Sequence, residues 1–170
     1  TLESPFCFIA SGIELEIEKR SGNADIVRRT CELISSVNPN LKIIGLFDND
    51  KEGNCQFKGM NTKIFEEHRI DKQYRKHKEL NIFGMLLPVI ENRSNFVTQN
   101  INYRFLVIEH FFDDSILEEF HLKGDFVLNT QVFEINEGNK NKFSNSVISF
   151  EKEKFENFNK LFSDLKSLFS

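Results

Sequence analysis

Leu41-Lys42-Ile43-Ile44-Gly45-Leu46-Phe47-Asp48-Asn49-Asp50-Lys51-Glu52-Gly53 carries the strongest structural signal in the chain. Apolar from Ile43 to Phe47, it stops at two aspartates one residue apart, the pattern of a buried parallel strand that delivers acids to its carboxyl end. In an open α/β sheet that end is where ligands bind. Side chains alternate along a strand with a rise of about 3.3 Å, so extended geometry turns Asp48 and Asp50 the same way, Cα atoms about 6–7 Å apart. Two like charges at that distance are uncomfortable without a cation. With Glu52 nearby and Gly53 permitting close approach, the set suits a hard ion such as Mg²⁺, which takes oxygen ligands. Asp-Asn-Asp followed by glycine is also ordinary turn and helix-capping chemistry.

Around this stretch, 170 residues are enough for one well-buried domain and too few for two, so 1–170 is read as a single domain. Hydrophobic residues make up 39% and charged residues 28%, a soluble globular composition. The net charge of -4 argues against a general polyanion binder, although a local basic patch can coexist with it. Nineteen phenylalanines and no tryptophan read as a Phe-filled core and carry no function by themselves. Cys7, Cys31 and Cys55 are an odd, widely spaced set without a Cys-x-x-Cys pair, which disfavours zinc or a disulfide framework. Reduced thiols, the lack of a signal-peptide pattern and the lack of an apolar run of about 18 residues lead to the expectation of a cytoplasmic protein with no membrane partner.

In chain order, Phe6 to Ala10 reads as a buried strand and Ile13 to Glu18 as a surface strand or extended insertion. Because the chain enters Phe6-Cys7-Phe8 almost at once from Thr1, it reads as a fragment of a longer one. A helix follows Ser21-Gly22-Asn23, with Ile26, Val27, Thr30, Cys31, Leu33 and Ile34 as its apolar stripe. Asn38-Pro39-Asn40 ends it and feeds Ile43 to Phe47. Strand, helix, strand implies a right-handed parallel crossover.

A short helix is expected from Cys55 to Met60, then a weakly structured stretch from Lys63 to Glu79. Its Arg69, Lys72, Arg75, Lys76, His77 and Lys78 are the main positive cluster, either a solvated face or a contact for phosphates. Asn81 to Pro88 and Phe105 to Glu109 read as further strands, the second ending on an acid. On such a strand His110 would face away from Glu109 and reads as structural. Asp113-Asp114-Ser115 caps a short helix at Ile116 to Phe120. Asp125 to Ile135 alternates irregularly, Asn136 to Asn141 is a polar loop, and Phe150 to Phe169 has helical spacing suited to packing across the sheet.

These residues resemble a family. Ile43 to Gly53 is similar to the Asp-x-Asp motif of the Toprim domain found in topoisomerases, primases and OLD-type nucleases. Four other features stand in the OLD-type order: the helix start at Gly22-Asn23, Leu86-Leu87-Pro88, Val107-Ile108-Glu109-His110-Phe111-Phe112, and a closing Phe155 to Phe162 helix. The resemblance implies an α/β fold, a mostly parallel sheet with helices on both faces, and cleavage of phosphodiester backbones with Mg²⁺ or Mn²⁺. It implies Asp48, Asp50 and Glu109 as metal ligands and Lys140, or Lys142, near Phe143-Ser144 as a lysine that steadies the charge developing on phosphate. The implied partners are nucleic acid, with DNA favoured as substrate, an ABC-type ATPase module upstream and a homo-oligomer; the implied setting is defence against phages. One departure stands out: the family's Glu-Gly strand, with its glutamate ligand, has no counterpart before Asp48. Truncation or divergence accounts for that, and an isolated fragment is expected to be inactive. The alternative readings are a receiver-like domain that binds metal without cutting, and a non-catalytic interaction domain.

Overall fold

An unbroken apolar run must be covered on both faces, and Ile43–Phe47 is. The computed structural model describes residues 24–37, 42–68, 73–127 and 130–168. In chain order the elements are α1 (Ala24–Val37), β1 (Ile43–Phe47), β2 (Asn49–Asp50), α2 (Lys51–Lys58), β3 (Phe65–Glu67), β4 (Tyr74–His77) and β5 (Ile82–Leu86). Then come β6 (Phe105–Leu106), α3 (Asp114–Glu119), β7 (Lys123–Phe126), β8 (Phe133–Ile135), α4 (Lys140–Val147) and α5 (Asn159–Ser167). Phe6 to Ala10, Ile13 to Glu18, Arg69 and Lys72 lie outside the described residues.

The fold is α/β. Its main sheet has the order β1-β5-β4-β3, with β1 parallel to β5 and the β5/β4 and β4/β3 pairs antiparallel. Among the described residues the sheet is thus mixed, with one parallel pair. The crossover that leads into β5 runs through α2 and the β3/β4 hairpin, so the two antiparallel strands extend the same sheet past β5.

Alternation along β1 and β5 divides the core into two. Ile43, Phe47, Ile82 and Leu86 face Cys31 of α1, Phe57 of α2, Met60 and Phe65. Ile44, Leu46, Phe83 and Met85 face a larger cluster that includes Leu117 of α3, Phe143 of α4, and Leu161 and Leu165 of α5. Helices therefore contribute to the clusters on both sides of the sheet.

Gly45 and Gly84 are register partners across β1 and β5 and make a flat spot on the first face. A Cβ on Gly45 would lie 2.5 Å from the Cys31 Sγ and 3.1 Å from Val27 Cγ1; one on Gly84 would lie 2.4 Å from the Met60 Sδ. Close approach is what these two glycines provide. It also sets which side of α1 is inside. Val27 and Cys31 pack on the sheet, whereas Ile26 and Leu33 are 44% and 65% exposed, so the expected stripe is rotated. Arg28 and Arg29 pair with Asp25 one helical turn away, at 2.6 and 2.7 Å.

Elsewhere the structure departs from the sequence-based expectations. Within Lys63 to Glu79, Phe65–Glu67 and Tyr74–His77 pair antiparallel, and Arg75, His77 and Lys78 tie them to their surroundings. Arg75 donates to the Met60 carbonyl at 3.0 Å and lies 5.4 Å from the Phe57 ring centre. Lys78 donates to the carbonyls of Thr62 and Lys63 at 3.1 and 3.0 Å, and buried His77 accepts from the amides of Glu79 and Leu80. Asp125 to Ile135 contains part of a second hairpin, β7/β8, with a register shift. The segment read as a strand from Phe105 to Glu109 is extended only at Phe105–Leu106, then coils into a 3-10 turn at Ile108–Phe111. The helix after the aspartates begins at Lys51 instead of Cys55, and the polar loop ends at Asn139, where Lys140 opens α4. The aromatic tail is a 3-10 segment, Lys152–Phe158, kinked at Phe155 before α5. Among the described residues no helix is long and apolar enough to cross a membrane.

Replacing Gly45 by valine should lower stability by about 1–3 kcal/mol, since the short Cys31 side chain cannot retreat. Gly84→Ala should cost less, because the Met60 thioether can swing aside. Urea midpoints, with an unchanged slope, would check both.

Candidate functional site

Asp48 is the residue at which the chain leaves the main sheet. β1 ends at Phe47, and Asn49–Asp50 pairs antiparallel with Phe105–Leu106. The chain thus exchanges one strand partner for another across Asp48. Asn49 points inward and is 1% exposed, while Asp48 and Asp50 on either side are half-buried.

Each aspartate is held by one backbone amide. Asp50 is the N-cap of α2, and its Oδ1 accepts from the Gly53 amide at 2.7 Å. The capping expectation therefore holds for Asp50. Gly53 is needed for a different reason: a Cβ there would sit 2.0 Å from the Asp48 carbonyl oxygen. The close approach is between backbone and backbone. Asp48 Oδ1 accepts from the Ile108 amide at 3.2 Å, which docks the Ile108–Phe111 turn onto the end of β1.

Glu109 sits on that docked turn. Lys140 Nζ, at the start of α4, lies 3.4 Å from Glu109 Oε1 and 2.8 Å from Glu137 Oε1. The Glu109 side chain is 15% exposed and that of Lys140 28%. Lys142, the other lysine considered, is exposed.

Phenylalanines bring Glu109 and Lys140 together. Phe111 and Phe112, which follow Glu109 in the same segment, are buried, and Phe112 packs edge-on against Phe143 of α4 with centroids 5.0 Å apart. Phe155 and Phe158 close the same cluster at 5.5 and 5.0 Å from Phe112. A groove of about 320 Å³, lined by Phe112, Phe143, Phe155 and Phe158, opens beside Glu109 and Lys140.

Behind the turn, polar groups lock its shape. Fully buried His110 accepts at Nδ1 from the Val107 amide and meets the Phe133 carbonyl at Nε2, 3.2 Å away. Burial, with Arg93 nearby, pushes its pKa down to about 3, so it stays neutral and structural. Arg93 donates to the carbonyls of His110 and Phe112 and pairs with Asp114. Asp114 also pairs with Lys123 at 2.9 Å, so it is an ion-pair partner more than a cap, and Asp113 makes no side-chain cap bond.

Electrostatically the site is unbalanced at Asp48. Burial is the largest cause, and the charges of Glu109 and Asp50 add to it, pushing the Asp48 pKa from 3.8 up to about 7; Lys140 and the Ile108 amide pull the other way. Burial also raises the Asp50 pKa, against the Gly53 amide. Burial disfavours the Lys140 ammonium, yet Glu109 and Glu137 outweigh it and its pKa is raised.

Asp48, Asp50 and Lys140 thus act on one another, and Glu109 couples both to Asp48 and to Lys140. Among the described residues no three His, Cys, Asp or Glu side chains converge as a ready metal cage. One Asp50 oxygen caps α2, and Glu109 leans on Lys140. The donor chemistry still fits a hydrated Mg²⁺ or Mn²⁺, which is commonly held by one or two carboxylates with waters completing its shell.

Comparison with protein-family models, with curated proteins and with solved structures yields no match.

Sequence reasoning missed Glu137, Asn49, Asn54 and Arg104. For Asn49 a signal existed, because alternation that turns Asp48 and Asp50 outward turns it inward, where an amide needs partners.

Folding holds a proton on Asp48 that the unfolded chain gives up, so its stabilising effect is complete below the ordinary carboxylate pKa and lost as pH rises through about 7. Stability should fall across that window, and Asp48→Asn should flatten the slope and add roughly 1–3 kcal/mol at about pH 8, read from urea midpoints against pH. Gly53→Ala should destabilise by about 3 kcal/mol, because the new methyl meets a backbone carbonyl that cannot yield; thermal unfolding would show it.

Proposed function

We propose that the chain is a divalent-metal-dependent phosphodiesterase domain of the Toprim type, acting on nucleic acid, with DNA as the favoured substrate. The observation that supports it is the Asp48 carboxyl with its pKa near neutrality, set between Asp50, Glu109 and the Lys140 ammonium at the carboxyl end of β1. Perturbed acids gathered beside a lysine mark functional sites more often than they mark plain surface.

On this reading Asp48, with Asp50 and Glu109, would hold Mg²⁺ or Mn²⁺, and the bound ion would supply polarisation of the phosphate and a lowered pKa for water. Without the ion Asp48 ionises close to neutral pH, so a cation bound there would displace its proton and hold it as a carboxylate. Lys140, kept protonated by Glu109 and Glu137, places a positive charge where phosphate oxygens gain negative charge. Glu109 orients that ammonium. The OLD-type arrangement adds an upstream ATPase module, a mostly parallel sheet completed by preceding strands, self-association and a role against phages to the same proposal.

A second reading, a domain that binds metal or a partner without cutting, is favoured by the capping duty of Asp50 and by the Glu109–Lys140 pair, which already has internal neutralisation.

Calorimetric titration should show Mg²⁺ and Mn²⁺ binding that disappears in the Asp48→Ala, Asp50→Ala double variant. Plasmid nicking by the full-length chain should depend on Mn²⁺ and drop by about 100-fold or more in Asp48→Ala and in Lys140→Ala. Binding without nicking would favour the second reading. Neither binding nor nicking would leave only an interaction domain.

A further inference from the structure

The Asp-Asn-Asp turn is keyed from below by a residue 55 positions after Asn49 in the sequence. Arg104 Nη1 donates to Asn54 Oδ1 at 2.7 Å and to Asn49 Oδ1 at 3.3 Å, while its Nε donates to the Thr98 carbonyl at 2.6 Å. Asn49 and Asn54 are 1% and 0% exposed. A guanidinium only donates, so both amide oxygens must face it. The two NH₂ groups then have no choice of direction. That of Asn49 donates to the Leu87 carbonyl at 2.9 Å, just past β5; that of Asn54 donates to the Asp50 carbonyl at 2.7 Å and to Asn49 Oδ1 at 3.0 Å.

We infer that Arg104 is the positioning residue of the Asp48–Asp50 pair, acting through the orientation of the Asn49 and Asn54 amides. Remove the guanidinium and the Asn54 amide oxygen loses its donor, while the Asn49 oxygen is left with the Asn54 amide alone. Either amide can then rotate by half a turn, and the bonds to the Leu87 and Asp50 carbonyls are lost with it. Those bonds tie the turn to β5 on one side and to α2 on the other. The Gly53 amide on Asp50 and the Ile108 amide on Asp48 report directly on whether the turn keeps its shape. This role rests on Asp48 and Asp50 being the working pair, but its readout needs no turnover.

Amide hydrogen exchange on the folded protein tests it. Relative to the amides of β5, those of Gly53 and Ile108 should exchange about tenfold faster in Arg104→Met, and Arg104→Lys should recover much of the loss because an ammonium can still donate to both oxygens. The Mn²⁺ dissociation constant should rise about tenfold in Arg104→Met, as expected when a group that orients ligands is removed. Should Arg104→Met fail to fold, the same exchange ratio is read in Asn54→Ser. An unchanged ratio, or a uniform rise that includes β5, would overturn the positioning role and leave Arg104 a general stabiliser. If the unsubstituted chain binds no Mn²⁺ while the ratio changes as stated, the phosphodiesterase reading falls and the role of Arg104 stands.

Discussion

Asp48 is drawn out of water beside Asp50 and Glu109, and the surrounding structure is what makes that arrangement tolerable. A buried carboxylate next to like charges is unfavourable unless donors and a counter-charge reach it. The Ile108 amide and Lys140 supply both in part. Holding them there requires that the Ile108–Phe111 turn stay docked, and the turn in turn depends on Phe111 and Phe112 filling the core, on neutral His110, and on Arg93 capping carbonyls from behind. Packing among the phenylalanines therefore has a consequence beyond stability, since it brings a turn and the first residue of α4 to the end of β1.

The two aspartates, alike in sequence, differ in circumstance. Asp50 takes up a helix cap, a stable structural engagement for one of its oxygens. Asp48 has one long amide contact and stronger opposition from its neighbours, so its proton is held more tightly. Between them Asn49 faces the interior, and the amide network around Arg104 keeps the turn from relaxing into a plain loop.

Much of this was legible, unevenly. Ile43 to Phe47 announced a buried strand, and Asn81 to Pro88 announced its partner, because continuous apolar runs leave few alternatives. Helical spacing puts Cys31 and Val27 on the inner side of α1, where they lie, together with Ile26 and Leu33, which are exposed; the true face follows from where Gly45 lets the helix approach. The Lys63 to Glu79 stretch looked like a solvated basic surface, since charge is visible in a sequence and the carbonyls of Met60, Thr62 and Lys63 that absorb it are not. The sequence marks Glu109 but not its setting, since Phe105–Leu106 pairs for only two residues before the chain turns. Lys140 was reached only through resemblance, because a lysine opening a polar helix has no local pattern.

Local sequence is enough for the apolar strand, for the phase that turns Asp48 and Asp50 away from Asn49 and for the capping chemistry of Asp50, all of which depend on neighbours within a few residues. Only the packing brings Glu109 and Lys140 together and lets their charges act on Asp48, and only the packing aims Arg104 at two distant amides. The physical reason is range. Periodicity and capping act over one or two turns of chain, whereas burial and charge coupling are set by whichever residues packing brings within a few ångströms, and here those residues are dozens of positions apart.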